Sequence, residues 1–150
     1  MICGAFCGVL LASSAVRAQT PVSPKVQASI RAVVADSGTG WIPLEGRPEP
    51  QSRSELRWSR ADQRLVIGIA EYADNQTATE AQAITIAEMS ISTLPDSEVG
   101  DEAFWAVSDP EADSAVLHFR KGRWRITVGS PSRSYTRQIG VSVATTLGQD

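Results

Sequence analysis

The chain of 150 residues is 42% hydrophobic and carries 14 Lys plus Arg against 17 Asp plus Glu, a formal charge of -3. That length holds one core, and so slight a negative balance gives no overall drive toward nucleic acid or an anionic membrane, so any basic function has to be local. The single histidine, His118, excludes multi-histidine metal sites and paired-histidine chemistry.

Residues 1–18, MICGAFCGVLLASSAVRA, read as a secretory signal: an apolar stretch from Ile2 to Val16, closed by the Val16-Arg17-Ala18 pattern that signal peptidase recognises. The stretch is short for a bilayer span, and no later apolar run approaches the required length. The mature chain is therefore expected to have no transmembrane segment and to be secreted or periplasmic after cleavage near Ala18. No Lys or Arg precedes the apolar run, and Cys3 and Cys7 lie at its start, not at its end where bacterial lipid attachment needs a cysteine. Both cysteines leave with the signal, which removes thiol catalysis, disulfides and thiolate zinc sites from the mature chain.

Ser23-Pro24, then Val26, Ile30, Val33 and Val34, then Gly38, give an N-cap, a first-turn proline, helical apolar spacing and a stop. A first helix is expected there. The segment WIPLEGRPEPQSRSE (41–55) is a connector whose prolines forbid a long ladder, with Trp41, Ile42 and Leu44 pressed onto the core. LRWSRADQRLVIGIAEYA (56–73) reads as two strands around the polar Ser59 to Gln63. Leu65, Ile67 and Ile69 share one side of the second strand, Val66, Ala70 and Tyr72 the other, so that strand is expected to be central.

A capping box at Thr77 and Glu80 is expected to open a second helix with Ala81, Ile84, Ala87 and Ile91 on its apolar face, ended by Leu94-Pro95. Gly100 and Asp101 then turn the chain into the strand AFWAV. AVLHFR and RWRITV form a hairpin around Lys121-Gly122, with Leu117, Phe119, Trp124, Ile126 and Val128 inward. That register sets Phe119 opposite Trp124, Leu117 opposite Ile126, His118 opposite Arg125 and Arg120 opposite Arg123. Finally, Tyr135, Ile139, Val143 and Leu147 lie four apart, as on a third helix, while the alternation in IGVSVA fits a strand equally well.

The order α-ββ-α-βββ-α implies an α+β domain, an antiparallel sheet of about five strands with helices packed on one face. Residues 1–18 form the signal, 19–55 the N-terminal helix and Pro-rich connector, and 56–150 the α+β domain, with 19–150 a single folded unit. From about residue 56 to 147 the chain resembles a group of small exported bacterial domains, often lipoproteins of unknown function. The resemblance is carried by Gly100, Asp101, Glu102, Ala103, Phe104 and Trp105, then Leu117, Phe119, Arg120, Lys121 and Gly122. In its wider look it is similar to PsbP-like domains. The resemblance implies an α+β fold and an envelope location, and no catalytic residue; the chain lacks the group's lipid-attachment cysteine and the cysteine pair common in it.

Few residues carry chemistry. Adjacent Asp101 and Glu102 point to opposite faces of a strand, which suits a turn and cap better than an acid/base pair. Asp109, Glu111 and Asp113 have calcium-loop spacing, but Ser114 and Arg120 stand where that loop needs glycine and glutamate. GVSVA around Ser142 lacks the second glycine of a nucleophile elbow. The hairpin concentrates His118, Arg120, Lys121, Arg123 and Arg125 on its outer surface, a candidate binding face for an anionic envelope ligand or partner protein, unless acids such as Asp109, Glu111 or Asp113 neutralise it. Nucleic acid is disfavoured because Phe119 and Trp124 point inward. No cofactor or metal is implied. The expected function is a non-enzymatic, secreted or periplasmic binding or accessory domain; the alternative is a small envelope hydrolase or transferase using Asp101, Glu102 and His118.

Overall fold

The computed structural model describes residues 19–45, 54–109, 111 and 113–149. The expected signal at 1–18 and most of the proline-rich connector, 46–53, lie outside the described residues. In chain order the elements are β1 (Gln19–Thr20), α1 (Pro24–Asp36), β2 (Ile42–Leu44), β3 (Ser54–Arg60), β4 (Gln63–Tyr72) and α2 (Asn75–Glu88), followed by β5 (Ser92–Asp96), β6 (Glu102–Val107), β7 (Ala115–Lys121), β8 (Trp124–Ser130) and α3 (Arg133–Leu147). No helix among the described residues is long and apolar enough to cross a membrane.

The expectation of a sheet of about five strands is overturned. Seven strands follow one another in the order β2-β3-β4-β8-β7-β6-β5, all antiparallel, and the short β1 pairs the end of β4 beyond the start of β3. The two extra strands, β2 and β5, are the edges, and each contains a proline, Pro43 and Pro95. Proline lacks the N–H a central ladder needs, but on an edge that donor would face solvent, and its absence blocks pairing with another chain. Leu94-Pro95, expected to end a helix, is thus part of a strand. Ile42 on β2 is 65% exposed and is not pressed onto the core.

The helices do not lie on one face, a second correction. On the first face, Leu65, Ile67 and Ile69 of β4 join Leu117, Phe119, Ile126 and Val128 in one core with Val26, Ile30 and Val34 of α1 and Ile139, Val143 and Leu147 of α3. Each such side chain buried completely contributes roughly 1.5–3 kcal/mol. On the second face, Ala70 and Tyr72 of β4 pack under Ala78 and Ala81 of α2. The sheet is the middle layer of three.

Local chemistry explains the helix limits. Ser23 caps α1 by accepting the Val26 N–H at 3.3 Å, with Pro24 in the first turn. For α2 the cap is Asp74, whose carboxylate accepts the Thr77 N–H at 2.7 Å, so the expected capping box at Thr77 and Glu80 falls inside the helix. A carboxylate beside unpaired helix N–H groups outcompetes a hydroxyl one turn later. Ala87, expected on the apolar face, is exposed, and Ile91 lies beyond the helix end. The segment left open between helix and strand is α3, whose apolar residues at spacing four bury Ile139, Val143 and Leu147.

In the β7–β8 hairpin the inward set is as the alternation demands, but the pairing is displaced. Lys121 opposes Trp124, Arg120 opposes Arg125, Phe119 opposes Ile126 and Leu117 opposes Val128. The loop is therefore Gly122-Arg123 rather than Lys121-Gly122. Two-residue hairpin turns require positive φ at their first position, and Gly122 supplies it at +55°, where the expected loop would have strained a lysine.

Candidate functional site

Asp101 joins the start of β6 to the tip of the β7–β8 hairpin. Its carboxylate accepts the Gly122 N–H at 2.7 Å and the Lys121 ammonium at 2.9 Å, with an Arg120 guanidinium nitrogen at 3.4 Å. Its own N–H donates to the Arg120 carbonyl at 2.8 Å. That approach is possible because Gly100 has φ +65° and no side chain; a Cβ there would stand 2.4 Å from the same carbonyl oxygen. Burial pushes the Asp101 carboxyl up, but the Gly122 N–H, Lys121 and Arg120 outweigh it and hold the group below the usual carboxylate range. The Gly-Asp and Lys-Gly pairs together form a latch between the start of β6 and the tip of the hairpin.

The hairpin cations gather near one another, yet each already has a protein partner. Arg120, with its side chain 14% exposed, lies between Asp101 and Glu102. Lys121 pairs with Asp101. Arg123 reaches Glu71 at 2.7 Å and lies over the Trp124 ring. Arg125 is not on an outer surface: it sits beneath α2, donating to Gln82 Oε1 at 3.2 Å, Tyr72 Oη at 3.1 Å and Thr85 Oγ1 at 2.6 Å. The neutralising acids are thus Asp101, Glu102 and Glu71. Asp109 accepts the Glu111 N–H and Asp113 the Arg133 N–H, which are turn roles.

His118 stacks on Phe104 at 5.0 Å between ring centroids, and its Nδ1 lies 3.1 Å from Thr127 Oγ1. It projects from the second face. Ser142 belongs to α3 on the first face, so the sheet separates the two and no Ser-His pair forms. Asp101 lines a small recess with Lys121 and Leu147, whereas His118 lines a different cavity.

That second cavity had no counterpart in the sequence reading. Across β4, β8, β7 and β6, Val66, Gly129, Val116 and Ala106 stand opposite one another in a single register row. The next row contains Thr127, His118 and Phe104, and the one after it Ala70, Arg125, Arg120 and Glu102. Because α2 packs over Ala70, Tyr72 and Arg125, it leaves Val66, Gly129 and Val116 half-buried, while Ala106 at the end of their row is buried. Met89 and Ile91, just past α2, wall the row, and the resulting groove holds about 570 Å³, within the range of small-molecule sites. Arg64 and the hydroxyls of Ser108 and Ser114 line its far margin, each two residues beyond the apolar row on its strand or extension.

A further polar cluster ties β5 and β6 to α3. Asp96, with its side chain 2% exposed, accepts from Trp105 Nε1 at 2.8 Å and from Arg137 at 2.7 Å. Burial opposes ionisation there, but the Glu98 N–H, Trp105 and Arg137 prevail and lower its pKa. This cluster is structural.

No protein-family model, curated protein or solved structure matches the chain. The resemblance to exported bacterial domains therefore stands on the sequence residues of 100–105 and 117–122 alone.

Proposed function

We propose that the chain is an exported, non-enzymatic binding domain whose ligand is a small, largely apolar molecule lying in the groove on the second face of the sheet. The observation that carries this reading is the apolar Val66–Gly129–Val116–Ala106 row, half-buried over its first three members, along a cavity of about 570 Å³. Apolar surface left uncovered in a concave site is stabilised when a ligand removes it from water. Export rests on the apolar run and Val16-Arg17-Ala18 pattern of residues 1–18.

Of the hairpin residues, the proposal retains His118, which lines the groove. It moves the contact with ligand away from Arg120, Lys121, Arg123 and Arg125, whose charges face protein acceptors. A hydrolase built on Asp101, Glu102 and His118 is less well supported, because the Asp101 oxygens are already engaged by Gly122 and Lys121.

Gly129 supplies the test. A Cβ there would meet only Val116, at 3.8 Å, so Gly129→Leu has room at its Cβ and directs its side chain into the groove, on the face opposite the main core. Titration with the neutral fluorophore N-phenyl-1-naphthylamine should show saturable binding to the wild type and at least roughly tenfold weaker binding to Gly129→Leu, since a filled site loses the apolar burial that drives association. Equal binding by a variant with an unchanged urea midpoint would refute the groove.

A further inference from the structure

We infer that the groove's ligand is a monoanionic amphiphile, in chemical class an acyl-chain carboxylate, with its head at Arg64 and its body along the apolar row. This rests on the groove being the binding site and adds the chemistry of what fills it.

Charge is the first argument. Arg64 is exposed at the margin of the groove, and its guanidinium makes no hydrogen bond or ion pair with any described residue. The cations of the hairpin and Arg137 all have acidic or hydroxyl partners. Among the described residues none that lines the groove is acidic, although the chain as a whole is negative. A guanidinium at an apolar margin, with no protein carboxylate opposite it, offers a two-pronged donor to an incoming carboxylate.

Polarity is the second. Ser108 and Ser114 make no hydrogen bond with any described residue and lie on the same margin as Arg64, so they add neutral donors to one side of the site. The floor between them and His118 is Val66, Gly129, Val116 and Ala106, without a polar side chain. A ligand matching both has one charged head and one apolar body.

Shape is the third. The floor crosses four adjacent strands, three spacings of about 4.8 Å each or roughly 14 Å, and it is open on the solvent side. An elongated, flexible chain fits that strip better than a compact ring system.

Competition for bound N-phenyl-1-naphthylamine tests the inference with decanoate, decanol and decyltrimethylammonium as probes. In the wild type, decanoate should displace the fluorophore at a concentration roughly fivefold lower than decanol, with decyltrimethylammonium weakest, and the decanoate advantage should shrink in high salt. Arg64→Gln should abolish the advantage and Arg64→Lys should keep much of it, while decanol displaces equally from all three proteins. Equal potency of decanoate and decanol in the wild type, or an advantage that persists in Arg64→Gln, would overturn the anionic head and leave the groove standing. A wild type that never binds the fluorophore would overturn the groove and this inference together.

Discussion

Replacing Gly100 by alanine separates backbone strain from steric approach, because Gly38 provides a matched control. The two glycines have nearly the same φ, +65° and +67°, but a Cβ on Gly38 meets nothing within 4 Å, whereas one on Gly100 meets the Arg120 carbonyl oxygen at 2.4 Å and Phe119 Cδ2 at 3.1 Å. Left-handed backbone costs an alanine about 1–2 kcal/mol, offset by about 0.4–1 kcal/mol from the stiffer unfolded chain. Gly38→Ala should therefore destabilise by no more than about 1.5 kcal/mol. At Gly100 the carbonyl is backbone and cannot swing aside, so overpacking adds about 1–3 kcal/mol. Displacing it also stretches the 2.8 Å bond from the Asp101 N–H, worth about 1 kcal/mol. With the left-handed strain included, the total for Gly100→Ala is about 2–5.5 kcal/mol. Urea unfolding followed by tryptophan fluorescence reports both variants, since Trp58, Trp105 and Trp124 are buried. Equal losses at the two positions would refute the close approach and, with it, the latch.

The acid limb of stability should depend on Asp101 and Asp96. Both carboxyls have folded-state pKa values below their ordinary value, so each contributes stability that is present above the unfolded pKa and lost as pH falls through the folded one. Asp101→Asn should lower the urea midpoint at pH 7, by about 1–2 kcal/mol for charge-assisted bonds at a partly exposed site, and flatten the decline below pH ~4; a variant whose decline parallels the wild type would contradict this. At the β3–β4 turn, Ala61 occupies the first loop position with φ +52°, the place Gly122 fills in the other hairpin. Ala61→Gly should raise stability by roughly 0.5 kcal/mol, the relief of left-handed strain less the added unfolded-state entropy; a lower thermal midpoint would argue against strain there.

What could be read from the sequence was what a local period or cap determines. Ser23, Pro24 and the Val26, Ile30, Val34 spacing fixed α1 almost to the residue, and two-sided apolarity marked β4 as central between β3 and β8. Proline misled twice, because it argues against a strand only in the middle of a sheet, and Pro43 and Pro95 are both on edges. Parity assigned Arg125 to the correct face, but alternation says nothing about whether a face is covered. Small Ala78 and Ala81, not the isoleucines, let α2 approach the sheet, so a pattern search for large apolar residues misplaces its packing side. The groove left no local signal at all, since it arises from where α2 stops relative to strands elsewhere in the chain.

The latch and the groove divide the molecule into parts that answer to different demands. Gly100, Asp101, Lys121 and Gly122 are tied together through a backbone approach and three polar contacts, which fixes how β6 meets the hairpin. Arg64, Val66, Met89, Ile91 and Gly129 line the groove and take no part in that latch. A domain could therefore share the Gly-Asp and Lys-Gly pairs with this one, and the same sheet, while carrying different residues at those five positions and a groove of different chemistry. For that reason a likeness resting on the latch speaks for architecture, and the ligand proposed here rests instead on the apolar row of the sheet and the cation beside it.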